Sequence, residues 1–306
     1  MPKFTVEKTI QIDATPHHVH GFLRDFRRWP DWSPWLICEP ECKVIYAPDG
    51  KSYRWEGEVV GKGELELTGE QGHTALDYRL SFFMPWKSVN TTAFRLAERD
   101  GGTEVTWTMV GSLPWFMFWM KKMMTAWVGM DYDRGLRMLK DLAETGTVPS
   151  KLEFLGTQAH PGGTWVGIAS TCAMADIGAA MEVDHGALMK FVEERNLTPS
   201  GPPFSIYHKW EPVKGRASYT AAIPVANPPA DLASGMTRGE MPACEIYAIR
   251  HTGAYRHLGN AWSAGMMHAQ AKRYRKHRKI HPFEIYESMP DVDEGSAETL
   301  LGFPTK

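Results

Sequence analysis

The feature that most constrains this chain is a pentapeptide that occurs twice. Pro203-Phe204-Ser205-Ile206-Tyr207 returns 79 residues later as Pro282-Phe283-Glu284-Ile285-Tyr286. Neighbouring landmarks nearly keep the offset: Pro161 and Pro242 lie 81 residues apart, Pro224 and Pro304 80 apart. Three matched landmarks at almost one spacing mark a duplicated unit. Each copy reads as an apolar strand (residues 164–169 and 245–250), a helical stretch, the Pro-Phe-x-Ile-Tyr strand, a turn rich in charge or glycine, and a closing strand. The expectation is βαββ, twice.

Within such a strand the side chains alternate faces, so Phe283 and Ile285 point one way and Glu284 and Tyr286 the other. The first copy places Ser205 and Tyr207 on the second face. A carboxylate between large apolar residues in a central strand is expensive to bury without a partner. Because the other copy has serine there, the fold itself does not demand the charge. Glu284 is therefore the leading candidate for function, against the plainer alternatives of an exposed strand face or an internal arginine partner.

At 306 residues the chain is expected to form two domains, 1–150 and 151–306, with the Gly- and Pro-rich stretch 145–163 as linker. A net charge of −2 with 43% hydrophobic residues describes a globular protein and supplies no whole-chain argument for nucleic acid or membrane partners. The cysteines Cys38, Cys42, Cys172 and Cys244 lack the second pair or flanking histidines of a zinc site, and a reducing, cytoplasmic setting is expected. The first residues alternate polar and apolar and show no secretory signal. The most apolar uncharged run, 105–120, is broken by Gly111 and Pro114 and is too short to span a membrane.

In the first half, residues 4–12 read as a strand, Thr15 as an N-cap and Pro16 as the first position of a short helix. Strand-like runs follow at 43–46, 52–60, 63–70, 74–83, 88–97 and 103–111, and a long helix from about residue 114 to 144 closes the unit. The segments IQIDATPHHVHGFLRDFRRWPDWSPW, GGTEVTWTMVG and GMDYDRGLRMLKDL resemble the SRPBCC, or START-like, polyketide cyclase/dehydrase and lipid-transport superfamily over about residues 3–145. The resemblance implies a helix-grip α+β fold, in which an antiparallel sheet wraps the long helix around an apolar cavity. It supplies no catalytic residue, because the superfamily has no universal catalytic motif. Nine of the twelve tryptophans lie here, Trp29, Trp32, Trp35, Trp55, Trp86, Trp107, Trp115, Trp119 and Trp127, and either line that cavity or fill a core. WFMFWM, residues 115–120, is apolar all round a helix. One of its faces needs a ligand, the second domain, a second subunit in a homodimer, or a membrane surface.

In the second half, MPACEIYAIRHTGAY, Trp262, HPFEIYESMP and AETLLGFP resemble the GyrI-like effector-binding domain, also found joined to AraC-type transcription activators. The match covers about residues 155–306 and implies a duplicated βαββ fold with a small-molecule groove between its copies. The matching acidic residue is Glu284, and Tyr286, Tyr219, Tyr255 and Trp262 fall where the family places groove aromatics. A carboxylate framed by aromatic faces suits a cationic or amphipathic aromatic guest. Some members of the family hydrolyse strained cyclopropane toxins with a groove glutamate, which leaves Glu284 as a base on water, assisted by Tyr255 or Tyr219, as the enzymatic alternative.

Arg250, Arg256, Lys272, Arg273, Arg275, Lys276, Arg278 and Lys279 form a basic run, but an acidic run from Glu284 to Glu298 follows it. No helix-turn-helix surrounds the run, so direct nucleic-acid binding is not expected. His17, His18 and His20 read as a helix surface, with no metal expected, and no phosphate loop or nucleophile elbow is present. The expectation is a ligand-binding protein without a bound cofactor. It takes small hydrophobic or cationic compounds, as sensor or sequestering agent, in an apolar N-terminal cavity and an acidic-aromatic C-terminal groove. A cyclase-like activity in the first domain is the remaining enzymatic alternative.

Overall fold

The computed structural model describes residues 3–84, 87–113, 115–288 and 294–306; Trp86, Pro114, Asp291 and Asp293 lie outside the described residues. The chain divides into two compact units, Met1–Pro149 and Ser150–Lys306. Both are α+β units with antiparallel sheets, and the first has its long helix after the sheet.

The first unit begins with β1 (Lys3–Ile12) and α1 (Pro16–Arg24). Thr15 caps α1 by accepting a 3.3 Å hydrogen bond from the His18 amide, with Pro16 at the first helical position. Six strands follow: β2 (Lys43–Tyr46), β3 (Ser52–Glu56), β4 (Lys62–Gln71), β5 (Ala75–Met84), β6 (Ser88–Arg99) and β7 (Gly102–Ser112). They meander and close on β1, in the order β1-β7-β6-β5-β4-β3-β2. β3 stops at Glu56, short of the expected residue 60. The backbone amides of Glu58, Val59 and Val60 turn instead to the Glu39 carboxylate, at 2.8, 2.9 and 2.9 Å.

The closing helix is also shorter than expected. Trp115–Met120 is a 3-10 turn, and the α-helix proper, α2, runs from Lys121 to Thr145, ending on Gly146 at φ 81°. The helix packs along β1 and reaches β7 and β6 through Tyr132. Tyr132 stacks on Trp107 at 3.7 Å between centroids, and Trp107 stacks on Phe94 at 4.8 Å. The Tyr132 hydroxyl and the Trp107 indole N–H both reach Thr92 Oγ1, at 3.0 and 2.8 Å. Of the expected surface histidines, His20 is in fact buried and meets Glu70 at 3.1 Å.

The second unit runs β8 (Ser150–His160), β9 (Gly163–Ala173), α3 (Ile177–Glu194), β10 (Phe204–Glu211), β11 (Arg216–Pro224), β12 (Met236–Met241), β13 (Cys244–Gly253), α4 (Gly259–Gln270), β14 (Phe283–Tyr286) and β15 (Glu298–Pro304). The duplicated unit therefore has five elements, ββαββ, and the stretch expected to be a linker holds β8. Its glycine has a structural use: Gly156, at φ 72°, sits beside the bulge where β8 shifts register against β13. The sheet order, β12-β9-β11-β10-β14-β15-β13-β8, is a palindrome of the repeat. Each copy lends its first strand to the other copy's outer edge, β8 beside β13 and β12 beside β9. The two Pro-Phe-x-Ile-Tyr strands pair at the centre. α3 packs on β9 and β11, and α4 on β13, β15 and β8.

Candidate functional site

At the centre of this sheet Ser205 of β10 is the register partner of Glu284 of β14. Alternation then sorts the side chains. Phe204, Ile206, Phe283 and Ile285 join the apolar cluster on one face. On the other face Tyr207 lies opposite Tyr219, and Glu284 and Tyr286 stand together, beneath residues of α3 and α4.

Glu284 is 1% exposed. Its Oε2 accepts hydrogen bonds from the hydroxyls of Tyr207, at 2.8 Å, and Tyr286, at 2.9 Å, and its Oε1 accepts from the Trp262 indole N–H. All of these donors are neutral, and among the described residues no lysine or arginine pairs with the carboxylate. Burial raises the Glu284 pKa, and the three donors work against that rise. Hydrogen bonds to a charged acceptor contribute about 1.5–3 kcal/mol each, against a penalty of several kcal/mol for taking a carboxylate out of water. The direction of the shift shows that desolvation wins.

Around this centre the polar contacts continue toward α3. The Tyr286 hydroxyl lies 3.1 Å from Ser205 Oγ, which is 3.0 Å from His185 Nε2. His185 Nδ1 is buried without a partner, and burial lowers the His185 pKa to about 4, so the imidazole is neutral. Met181 Sδ lies 3.7 Å from both tyrosine hydroxyls. The Tyr207 ring meets the Trp262 indole edge to face at 4.6 Å.

The residues singled out in the sequence are placed unequally. Glu284, Tyr286 and Trp262 are brought into direct contact. Tyr255 is 41% exposed and meets Tyr286 edge to face at 6.0 Å, at the rim. Tyr219 is fully buried in the cluster beneath α3, and its hydroxyl donates to Asp184 at 2.7 Å rather than to Glu284. Tyr207 makes the contact with Glu284 instead. The duplication carries its signal, since Tyr207 is the repeat equivalent of Tyr286. His185, Met181 and Asp184 had no such signal, because they come from a helix whose rotation over the sheet is a tertiary matter.

Tyr207, Tyr286 and Trp262 close over the carboxylate. A cavity of about 220 Å³ in this unit lies on the other face of the sheet, against Phe204, Phe283 and Ile285. In the first unit Trp29, Trp35, Trp55, Trp107 and Tyr132 line a cavity of only about 60 Å³. That volume is well below the roughly 300 Å³ at which drug-sized sites begin. Among the described residues no cluster of three or more His, Cys, Asp or Glu is arranged to hold a metal.

Comparison with known proteins follows the same division. Residues 3–144 match the model of the polyketide cyclase/dehydrase and lipid transport family, and residues 164–306 that of the GyrI-like small molecule binding domain. No curated protein matches the chain. Among solved structures, a protein from Mesorhizobium loti is 17% identical, with 45% of this chain and 95% of that one covered and a TM-score of 0.36. The EcmrR C-terminal domain is 17% identical over 51% of this chain and 98% of that one, with a TM-score of 0.44. EcmrR in its DNA complex is 16% identical over 61% and 68%, with a TM-score of 0.45. The chain thus joins a domain of the polyketide cyclase/dehydrase and lipid transport family to a C-terminal domain of the GyrI-like small molecule binding family.

Proposed function

We propose that the C-terminal unit binds an aromatic or amphipathic cation at Glu284, and that the chain senses or sequesters such compounds. The observation that carries this reading is a buried carboxylate whose partners are all neutral. The charge is left without a counterion, and a desolvated carboxylate framed by aromatic rings attracts a cation through charge pairing and ring-face contact. Membership of both domains in small-molecule binding families supports ligand binding in general. The test is calorimetric titration of the whole chain with an aromatic quaternary ammonium probe and its uncharged carbon isostere, with Glu284→Gln alongside. The cation should bind the wild type at least tenfold more tightly than the isostere, and the variant should lose that preference. Equal affinities of variant and wild type for the cation would remove Glu284 from the account.

The raised Glu284 pKa favours one second reading, a hydrolase in which Glu284 takes a proton from water as the water oxygen bonds to a carbon of a strained cyclopropane, the ring C–C bond breaks and its electron pair takes up the proton at the released carbon. Turnover of such an electrophile, lost in Glu284→Gln, together with no saturable binding of the unreactive cation, would select it.

A further inference from the structure

The 3-10 turn Trp115–Met120 is packed in an unusual sense. Its methionines, Met117 and Met120, face the core of the first unit, together with Met124 and Val128 of α2. Its aromatics do the opposite: Trp115, Phe116, Phe118 and Trp119 are 60–76% exposed. The sheet brings more apolar surface to the same end. Phe82 pairs with Ser88, Thr91 with Val110, and Ser112 with Lys3, so the close of the β5–β6 hairpin and the last residues of β7 lie at one end of the sheet. Phe83, Met84 and Val89 are exposed there as well. Singly exposed apolar residues are ordinary, but four large aromatics within five residues, at the same end of the sheet as three further exposed apolar side chains, are a concentration of the kind that marks an interaction surface.

The charges that flank the patch in sequence have one sign. Lys87, Lys121 and Lys122 are exposed, and the sequence from 105 to 130 holds no acidic residue, nor does 78–97. Further along this end of the sheet, on the β3–β4 turn, Glu56 pairs with Lys62 at 3.6 Å and Glu58 also has a partner, and Glu41 is exposed before β2. Tryptophan and phenylalanine beside lysine is the composition that sits at a bilayer interface, with rings at headgroup depth and ammonium groups against anionic lipid. A second copy of the chain fits less well. Two copies meeting through this patch about a two-fold axis would bring lysines against lysines. No helix among the described residues is long and apolar enough to cross a membrane, so attachment would be at the surface.

We propose that this end of the first unit docks onto an anionic lipid surface, with Trp115, Phe116, Phe118 and Trp119 entering the interface and Lys87, Lys121 and Lys122 contacting headgroups. The test is co-sedimentation of the full chain with phosphatidylcholine vesicles, with and without a minority of phosphatidylglycerol, at low and high salt. Trp115→Ser/Trp119→Ser and Lys121→Gln/Lys122→Gln are run beside the wild type, each checked for a native circular dichroism spectrum. The wild type should sediment with the anionic vesicles, less at high salt and weakly with neutral ones. Each lysine neutralised should weaken partitioning about fivefold, and the tryptophan pair should abolish it. Failure of the wild type to bind anionic vesicles at low salt would overturn the proposal. So would undiminished binding by both variants, or a stable wild-type dimer that Trp115→Ser/Trp119→Ser converts to monomer.

Discussion

Ser205 and Glu284 are equivalent residues of a duplicated sequence and also direct partners across the strand pair at the centre of the sheet. The local two-fold relation of the repeat therefore passes between them, and the one chemical difference between the two strands is concentrated there. Both symmetry-related tyrosines, Tyr207 and Tyr286, turn their hydroxyls to the same oxygen of Glu284. One carboxylate thus collects the donors of both copies, a geometry that a serine pair would leave without an acceptor of comparable strength.

Glu284→Gln should make the second unit more stable above about pH 5 while abolishing selectivity for cations. Burial raises the Glu284 pKa, so the folded state holds its proton more tightly than the unfolded chain. Its favourable contribution is present below the unfolded value of about 4.5 and lost as pH rises through the folded value. Urea denaturation at several pH values should show the two proteins converging in acid and the variant ahead at pH 7–8.

Tyr207→Phe and Tyr286→Phe should have similar effects. Each removes one hydroxyl donor from the ionised form, at about 1.5–3 kcal/mol, and should move the carboxyl pKa further up. A carbon-13 titration of the labelled glutamate side chain measures the shift directly. A displacement by one tyrosine variant and none by the other would contradict the shared contact.

The buried imidazoles should make the second unit acid-sensitive. Burial lowers the pKa of His185 and of His251 to about 4. The unfolded chain binds more protons between the ordinary value of about 6.5 and that value, so stability falls as pH falls through this window. Each imidazole accounts for a loss on the order of 3 kcal/mol, and His185→Gln should flatten the slope between pH 6.5 and 4. Glu284 acts in the opposite sense, so the comparison is cleanest in the Glu284→Gln background.

Trp107→Ala should destabilise the first unit by about 3–5 kcal/mol. The indole is buried between Phe94 and Tyr132 and its N–H donates to Thr92, so the change opens a cavity and removes one hydrogen bond, while the Tyr132 hydroxyl still reaches Thr92 Oγ1. Its thermal unfolding, followed by near-ultraviolet dichroism, measures the loss. An indole added to the solution should recover part of the stability, since the void is lined by aromatic rings.

Much of this architecture is written in short-range signals. Thr15-Pro16 sets the start of α1 because a hydroxyl acceptor and a fixed φ act within one turn, and the alternation of Phe283, Glu284, Ile285 and Tyr286 assigns each to a face without reference to the rest of the fold. The duplication also identified Glu284 as the residue the fold did not require. The sequence could not reveal that β8 and β12 cross to the opposite copy. Strand exchange is decided by which sheet edge lies free in space, and Gly156 at the bulge hid β8 among linker-like residues. Nor could it choose between Tyr219 and Tyr207, which occupy opposing positions on paired strands. Only the seating of α3, with Asp184 above one tyrosine and Met181 above the other, turned Tyr219 into core and left Tyr207 on the Glu284 carboxylate. Local pattern determined which residues share a face. Burial and neighbour depend on helices arriving from distant parts of the chain, and the tertiary structure alone decided them.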